Sequence, residues 1–188
     1  NDEAEWEAFT NSLTTNLTSF FCVLHHFPIL AEQLRALRNK HPIVLWCSAA
    51  STGEEPYSMA MTVIDALGRD ASQVSIVATD LDTNVLATAR AGIYPEERIA
   101  KLSPDLVKRY FQRGTGSQAG LVRVRQELRD MITFRQLNLL HDNWSVRAPV
   151  DAIFCRNVMI YFDKPTQLSI LKKFVPLLRK EGLLYAGH

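Results

Sequence analysis

The sequence predicts an α/β fold in which a doubly wound parallel sheet carries helices on both faces. Short apolar runs with the length of strands alternate with longer segments whose apolar residues recur at helical spacing. The first apolar run, Ile43–Cys47, lacks polar alternation, which is typical of a strand buried on both faces of a parallel sheet. Strands and helices that alternate in this way build one layered domain around a buried sheet.

Composition places the chain among ordinary globular domains. Its 188 residues suffice for one sizeable core, and the hydrophobic and charged fractions, 47% and 22%, are average. A formal net charge of +1 gives no general reason to expect nucleic acid or a membrane as partner. No apolar run has the length of a membrane span, and the acidic first residues differ from a signal peptide. We expect a cytoplasmic protein that acts as a monomer.

Three cysteines, Cys22, Cys47 and Cys155, are scattered without the spacing of a metal site. This usage is typical of the reducing cytoplasm. Cys47 and Cys155 end two strands that are expected to be neighbours, so the two are expected close together as buried free thiols. Adjacent side chains such as His25 and His26 point in different directions, and no third ligand stands at suitable spacing. We predict no metal site.

Residues 1–42 are expected to form a helical lead-in to a sheet domain at 43–188. The apolar residues that predict its first helix are Trp6, Phe9 and Leu13. A second helix is predicted from about Pro28 to Arg38, with an apolar stripe that includes Leu30 and Leu34.

The segment from Ile43 to Asp80 is the most informative part of the chain. It predicts a strand, a loop of small residues, a helix and a second strand that ends in a carboxylate. The apolar face of that helix consists of Ala60, Val63, Ile64 and Leu67. Ligands of open α/β sheets bind beyond the carboxyl ends of the strands, where a carboxylate can accept hydrogen bonds from a ribose diol. The segment therefore predicts a nucleoside-containing cofactor.

The rest of the chain continues the same alternation. Helices are predicted after Asp82, which is a suitable cap, and after Ser103-Pro104. An inserted antiparallel β-subdomain is expected at about 112–130, because glycines punctuate this segment and Val122–Arg125 alternates apolar and basic residues. The predicted core strands are 43–47, 74–79, 132–137, 150–155 and 183–186, the last of them after a helix that ends at Gly182.

Right-handed crossovers give these five strands the order 3-2-1-4-5, with the switch point between the first and fourth strands. The loops that follow those two strands then face one crevice. The second loop carries Arg156, Asn157 and Tyr161 directly after a buried strand. We therefore expect these residues to belong to the site.

The loop after the first strand favours one kind of cofactor. A dinucleotide site requires three spaced glycines, so that the backbone can approach a pyrophosphate. This loop has one glycine, Gly53, followed by Glu54 and Glu55. Two carboxylates repel a pyrophosphate but suit the ammonium and sulfonium of S-adenosylmethionine. The alternative is an ordinary strand–helix–strand unit whose acids face water.

Three segments together closely resemble the chemotaxis receptor methyltransferases, the CheR family, and the resemblance extends over nearly the whole chain. They are NLTSFF at 16–21, AASTGEEPYS at 49–58 and FCRNVMIYF at 154–162. The resemblance implies a Rossmann-like class I methyltransferase fold. It also implies transfer of a methyl group from S-adenosylmethionine to glutamate side chains of bacterial chemoreceptors, with S-adenosylhomocysteine as product.

The resemblance also assigns residues position by position. Those implied to bind the cofactor are Asn16, Thr18, Glu55, Asp80, Asn138, Leu139, Arg156 and Asn157. Those implied to grip a pentapeptide at the receptor's C-terminus are Arg113, Gly120 and Arg123. An exposed strand edge at Val122–Arg125 is expected to accept that peptide as an added strand.

The chain departs from the family pattern at Cys22, where the family has an arginine that assists cofactor binding or catalysis. A neutral thiol does not replace a guanidinium that binds a carboxylate, so reduced activity is expected. The chain also begins after most of the family's N-terminal helical domain, and the last strands of the sheet are expected to lie beyond its end. These departures leave an alternative open, a catalytically weak receptor-binding or cofactor-sensing module.

The expected chemistry needs few catalytic groups. A glutamate with a pKa of ~4.3 is already ionised at neutral pH, so methyl transfer to it needs no general base. The chain must instead align the reactants and exclude water. Tyr161 is a candidate to orient the substrate carboxylate, and its alternative is a tyrosine packed at a strand–loop junction. A nicotinamide oxidoreductase is disfavoured by the missing glycine fingerprint.

Overall fold

A five-stranded parallel sheet forms the centre of the computed structural model, which describes residues 3–6, 8 and 18–187. The strands in chain order are β1 (Ile43–Cys47), β2 (Val74–Asp80), β3 (Ile93–Pro95), β4 (Phe111–Arg113), β5 (Leu121–Val124), β6 (Ile132–Gln136), β7 (Val150–Arg156) and β8 (Leu178–Gly187). The large sheet has the order β6-β2-β1-β7-β8, and all its pairings are parallel. The predicted α/β class and the predicted order 3-2-1-4-5 are confirmed.

Within residues 18–187, six α-helices surround the sheet. They are α1 (His26–Leu37), α2 (Glu54–Leu67), α3 (Thr83–Ala91), α4 (Pro104–Tyr110), α5 (Gln126–Asp130) and α6 (Lys164–Phe174). Helices α1 and α2 contribute to the larger apolar core on one face of the sheet, and α6 contributes to the smaller core on the other. Trp6 is exposed, whereas Phe9 and Leu13 lie outside the described residues.

Side chains alternate between the two faces along each central strand, which sets the directions of the two cysteines near the strand ends. Cys47 belongs to the core beneath α2, and Cys155 belongs to the core beneath α6. Both are buried free thiols, as expected, and Cys22 is an exposed free thiol. Cys47 pairs in register with Phe154, so its neighbour Cys155 points to the opposite face. The two thiols therefore lie on opposite faces of the sheet.

The small antiparallel sheet has the order β3-β5-β4. Its first strand, Ile93–Pro95, precedes the segment 112–130 in which the insertion was expected. The strand at Leu121–Val124 is the central one, with Val122 and Val124 buried and Arg123 exposed. The expectation of a free edge at Val122–Arg125 is therefore wrong, because both sides of this strand are already paired.

Strand β8 begins at Leu178, five residues before the predicted start at Leu183. Helix α6 ends at Phe174, and a register shift between Val150 and Ala152 accommodates the extra residues of β8. Gly182 lies within this irregular part, where an added Cβ would stand 2.9 Å from the carbonyl oxygen of Arg179. The glycine therefore permits a close backbone approach and does not end a helix.

Asp151 joins several elements at the amino-terminal end of the sheet. Its buried carboxylate accepts hydrogen bonds from the Val44 amide (2.9 Å), His41 Nε2 (2.8 Å) and Arg179 Nε (2.9 Å). Its backbone carbonyl accepts a bond from the Gln33 side chain of α1 (2.8 Å). One carboxylate thus holds β1, β7, β8 and the segment after α1 together, on the side of the sheet away from the predicted crevice.

Candidate functional site

The carboxyl ends of β1, β2 and β7 meet at one edge of the sheet, and the loop after β1 is bound to both neighbouring strands. The Ser48 amide donates to the Phe154 carbonyl (2.9 Å), and the Ala50 amide donates to the Thr79 carbonyl (2.8 Å). Trp46 Nε1 donates to Thr79 Oγ1 from beneath (3.0 Å). These bonds hold residues 48–53 in a fixed shape above the switch point.

Asp80 ends β2, as the sequence predicted, and its side chain reaches across to this loop, a contact that the sequence did not predict. One carboxylate oxygen accepts from the Ser51 amide (2.8 Å), and the other accepts from the Asp82 amide (3.0 Å). Burial raises the pKa of the Asp80 carboxyl, and the backbone donors oppose that shift. Each oxygen can accept a further hydrogen bond, so the group is suited to bind hydroxyl groups.

Glu55 and Arg156 form a buried ion pair between β7 and α2. Arg156 Nη1 lies 2.6 Å from Glu55 Oε2, and the Cys47 thiol donates to Glu55 Oε1 at 3.4 Å. Burial raises the pKa of the Glu55 carboxyl, while the adjacent guanidinium of Arg156 lowers it. Burial also raises the pKa of the Cys47 thiol, and the neighbouring Glu55 adds to the rise. The site therefore contains a charge pair and a neutral thiol at its base.

Glu54 and Glu55 lie in the first turn of α2, although the sequence suggested that they belong to the loop. Glu54 is fully buried and accepts from Thr52 Oγ1 (2.6 Å) and from Arg98 Nη1 (3.0 Å). Arg98 Nη1 also lies 3.4 Å from the carbonyl oxygen of Thr18. The structure thus brings Thr18, a predicted site residue, to the first turn of α2.

The turn before α2 depends on Gly53, whose φ is +101°. A Cβ at this position would stand 2.8 Å from Tyr94 Oη and 2.9 Å from Ala89 Cβ. The Tyr94 hydroxyl donates to the Thr52 carbonyl at 2.6 Å. Only glycine has both the backbone freedom and the small volume that this contact with the small sheet requires.

The NLTSFF segment is held against the same helix. The Phe21 amide donates to Ser58 Oγ (2.9 Å), and the Phe20 ring packs edge-on against Tyr94 and Phe111 at 5.3 Å. Asn16, the other predicted cofactor residue of this segment, lies outside the described residues. The segment therefore crosses from α2 to the small sheet beside the crevice.

The two remaining predicted pairs follow β6 and β7. Asn138 Oδ1 accepts from the Leu140 amide (2.9 Å), which makes a tight turn after β6, and Leu139 is buried. Asn157 follows Arg156 with a left-handed backbone, φ +55°. Strand β6 lies beyond β2, so the Asn138–Leu139 turn is on the Asp80 side of the crevice. Asn157 is on the Arg156 side.

Tyr161 lies in a short 3-10 turn, Met159–Tyr161, and its side chain is 54% exposed. It is not packed at a strand–loop junction, which leaves its hydroxyl accessible. Cys22 is also exposed, between Phe21 and α1. Neither residue belongs to the buried cluster of Asp80, Glu55 and Arg156.

The three predicted peptide-gripping positions are distributed around the small sheet. Arg113 lines an open groove of about 1140 Å³ beside β4, whereas Gly120 and Arg123 are not among its lining residues. Arg113 pairs with Glu96, and the Gly120 carbonyl accepts from the Glu96 amide (3.0 Å). Arg123 Nε donates to the Ala91 carbonyl (3.4 Å).

Sequence reasoning missed Ser51, Tyr94 and Arg98. The Ser51 hydroxyl is buried with no hydrogen-bond partner among the described residues, and the backbone φ of this residue is +49°. Tyr94 lies within a three-residue strand whose pattern is too short to be recognised as an element, and Arg98 lies in the 3-10 turn that follows it. The sequence signal for Ser51 is a serine within a loop of small residues.

The described part of the chain has no group of three or more metal-ligating side chains. None of its helices has the length and apolar character to cross a membrane.

A parallel sheet of order 3-2-1-4-5 with an acid after its second strand defines a Rossmann-like, nucleoside-cofactor-binding fold. The family profile described as CheR methyltransferase, SAM binding domain, matches residues 16–188. The chain belongs to the CheR methyltransferase family, and the matched region is its domain for S-adenosylmethionine.

Relatives of known name agree with this membership. A chemotaxis protein methyltransferase of Klebsiella aerogenes is 58% identical and is aligned with 98% of this chain. Chemotaxis protein methyltransferase 2 of Pseudomonas aeruginosa is 55% identical over the whole chain. The chain spans 63% and 67% of the lengths of these two relatives.

Among solved structures, PKMT2 from Rickettsia typhi in complex with AdoHcy has a similar fold. It gives a TM-score of 0.52 at 12% identity over 92% of this chain and 26% of its own length. At that identity the similarity concerns the fold alone.

Proposed function

We propose that this chain binds S-adenosylmethionine and transfers its methyl group to glutamate side chains of bacterial chemotaxis receptors, as a monomer in the cytoplasm. One observation carries the proposal. The residues that the family resemblance assigns to the cofactor, Glu55, Asp80 and Arg156, lie together at the adjoining carboxyl ends of β1, β2 and β7. The names of the relatives support methyl transfer in chemotaxis, and the family resemblance supplies the receptor glutamates.

The donor set fits this cofactor. Asp80 would accept hydrogen bonds from the ribose hydroxyls, and the buried Ser51 hydroxyl is a polar group that a ligand in the crevice would satisfy. The acids at the start of α2 are already paired, Glu54 with Arg98 and Glu55 with Arg156, so the argument against a pyrophosphate rests on the single glycine of the loop before α2. Asn138 and Leu139 would border the adenine. When bound, the cofactor supplies an electrophilic methyl group.

The chain's own residues have orienting roles in this proposal. Thr18, Arg156 and Asn157 would hold the amino-acid end of the cofactor, together with Asn16. The exposed Tyr161 hydroxyl would donate to the glutamate carboxylate of the receptor and direct one oxygen toward the methyl group. No residue needs to remove a proton, because the substrate carboxylate is ionised at neutral pH.

The test is incubation of the 188-residue chain with labelled S-adenosylmethionine and receptor-bearing membranes, followed by release of base-labile methanol. We expect labelled methyl esters, and none with Asp80→Ala at the same cofactor concentration. Receptors whose methylation-site glutamates are replaced by alanine should accept no label. Base-stable label, or label retained on those receptors, would contradict the proposed substrate.

Cys22 favours a second candidate function, a receptor-binding or cofactor-sensing module with weak catalysis. The family's arginine is absent at this position, and the thiol is exposed. This candidate predicts that the chain binds S-adenosylhomocysteine in calorimetry yet forms methyl esters no faster than Asp80→Ala. A rate of methyl ester formation well above that of Asp80→Ala would favour the enzyme over the module with weak catalysis.

We further propose that the groove beside β4 accepts the C-terminal peptide of a receptor. Strand β4 is an edge of the small sheet, so a peptide could pair with it, which the central β5 does not permit. The groove has apolar residues at Ile99, Leu102, Val107 and Phe111, basic ones at Lys108, Arg113 and Arg125, and acidic ones at Glu96 and Glu97, of which Glu96 pairs with Arg113. Its apolar residues suit aromatic side chains of a peptide, and its three basic residues against two acids suit acidic ones.

Titration with a fluorescent peptide ending in Asn-Trp-Glu-Thr-Phe tests this docking. We expect Arg113→Ala to weaken binding by about tenfold, since it removes a charge-assisted hydrogen bond donor. Arg123→Ala tests the resemblance's third position, and Arg109→Ala, which is absent from the groove lining, should change affinity little. Equal binding by Arg113→Ala and Arg109→Ala would contradict the proposed groove.

A further inference from the structure

Arg98 connects the small sheet to two parts of the cofactor crevice. It lies on the 3-10 turn Glu96–Ile99, between β3 and α4. Its Nη1 atom donates to Glu54 Oε1 at 3.0 Å and lies 3.4 Å from the Thr18 carbonyl oxygen. One guanidinium nitrogen thus bridges the first turn of α2 and the NLTSFF segment, which are separated in sequence by α1, β1 and the loop after β1.

Arg98 compensates the negative charge of the buried Glu54 carboxylate. The Glu54 side chain is fully buried, while that of Arg98 is 46% exposed. The second oxygen of Glu54 accepts from Thr52 Oγ1 (2.6 Å), so Arg98 and Thr52 together occupy both oxygens. Without the Arg98 guanidinium, the buried Glu54 carboxylate has no compensating charge, and its side chain is expected to shift toward water. Because Glu54 is followed directly by Glu55, a shift toward water would move the residue that pairs with Arg156.

The contact with Thr18 fixes the segment at a point that the other contacts do not reach. Phe21 is held by Ser58, and Phe20 is held by the rings of Tyr94 and Phe111. Both lie on the side of the segment toward α1, whereas Thr18 lies on the side toward Asn16. Arg98 is therefore the described residue that tethers the part of the motif assigned to the cofactor.

We propose that Arg98 is a positioning residue for cofactor binding. It holds the Thr18 backbone and the first turn of α2 in one arrangement, and so presets the crevice for the amino-acid end of the cofactor. The proposal rests on the proposed function, since it concerns the affinity of the same site. In this role Arg98 acts through Glu54 and the Thr18 backbone, and no contact of its own with the cofactor is required.

The experiment compares Arg98→Ala with a matched control, Arg109→Ala, in the 188-residue chain. Arg109 also belongs to an arginine–carboxylate pair, with Asp65 at 2.6 Å, but contacts neither Thr18 nor α2's first turn. Calorimetry measures the Kd for S-adenosylhomocysteine, and hydrogen exchange of cofactor-free protein measures protection of the Phe21 amide, whose bond to Ser58 Oγ should open more often once Thr18 is released. We expect Arg98→Ala to raise Kd about tenfold and to lower protection, with neither change in Arg109→Ala.

Two further variants separate positioning from a loss of general stability. Arg98→Lys keeps the charge and should recover part of the affinity. Glu54→Gln removes the buried negative charge that Arg98 compensates. In that variant, Arg98→Ala should therefore raise Kd less than about threefold. A melting temperature lowered equally in Arg98→Ala and Arg109→Ala, with unchanged exchange and unchanged Kd, would overturn the proposal.

The two proposals fail in distinguishable ways. If the unmodified chain binds no S-adenosylhomocysteine, the proposed function fails, while the exchange data still decide whether Arg98 orders the motif segment. If the chain binds the ligand and Arg98→Ala binds it equally well, the positioning role fails and the proposed function stands.

Discussion

At the scale of single residues, Asp80 has an environment that makes ligand binding sensitive to pH. Burial raises the pKa of its carboxyl above the ordinary value of about 3.9. The folded protein therefore holds a proton on Asp80 at a pH where an unfolded chain has released it. The stability from this titration is complete below the unfolded pKa and is lost as the pH rises through the folded pKa.

Ligand affinity should follow the opposite direction. Only the ionised Asp80 carboxylate accepts on both oxygens, so affinity for S-adenosylhomocysteine should fall as the pH is lowered through the raised pKa. Calorimetry at a series of acidic pH values measures this fall in affinity, which should follow the titration of Asp80 as one step. Asp80→Asn should bind about tenfold or more weakly and should lack the step. Asp70→Asn, at an exposed ion pair with Arg38, is the control that should keep it. An unaltered step in Asp80→Asn would assign the titration to another group.

Cys22 provides a second prediction at this scale. If the family's arginine assists the cofactor or the substrate carboxylate, Cys22→Arg should raise turnover by about tenfold, the effect of one charge-assisted hydrogen bond. Cys22→Lys restores the charge without the planar fork and should raise turnover less. Initial rates of methyl ester formation measure both. Equal rates in Cys22→Arg and the unmodified chain would show that the position is dispensable here.

At the scale of elements, the turn between β1 and α2 determines how the crevice meets the small sheet. Gly53 has a positive φ, and its Cα faces the Tyr94 hydroxyl and Ala89 at distances too short for a side chain. Tyr94 in turn donates to the Thr52 carbonyl. The turn and the insertion are therefore packed as one unit, and the loop that precedes α2 depends on both.

Replacement of two glycines by alanine should separate the cost of a positive φ from the cost of steric overlap. Gly53→Ala is expected to lower the free energy of unfolding by about 3 kcal/mol, because it combines an unfavourable φ with two contacts below 3.0 Å. Gly68→Ala also has a positive φ, but no atom lies within 4 Å of its added Cβ, so about 1 kcal/mol is expected. Urea unfolding measures both. Equal losses would mean that the contact with Tyr94 adds nothing.

At the scale of the whole molecule, the two ends of the sheet have separate tasks. The carboxyl ends carry the candidate site, whereas the amino ends carry the Asp151 cluster. Asp151 and Arg156 are five residues apart on β7, which corresponds to about 16 Å along a strand. Stability and ligand binding should therefore be separable by mutation.

Asp151→Ala is expected to lower the free energy of unfolding by about 3 kcal/mol, because it leaves a buried backbone amide and two side-chain donors without their acceptor. Its Kd for S-adenosylhomocysteine should be unchanged under conditions where the variant is folded. Asp70→Ala removes a half-exposed carboxylate that pairs with Arg38 and should cost less than about 1 kcal/mol. A weakened Kd in Asp151→Ala would show that the two ends of the sheet are coupled.

Much of the architecture could be predicted from local pattern. Apolar runs such as Val150–Cys155 have the length and composition of buried strands, and the handedness of the crossovers then leaves one simple order. The polar residues at the strand ends, Asp80 and Arg156, consequently had to lie at the same edge of the sheet, on either side of β1. The family resemblance rested on contiguous motifs, which survive in sequence without any knowledge of contacts.

Tertiary structure alone decided which side chains pair. Arg156 meets Glu55 across 101 positions of sequence, and Arg98 meets Thr18 across 80. Tertiary structure also made β5 the central strand of the small sheet, because β5 pairs with the distant strand Ile93–Pro95 as well as with β4. Periodicity reports how one segment divides its faces between core and solvent. It carries no information on which distant segment covers each face, since that depends on how the whole chain closes around its core.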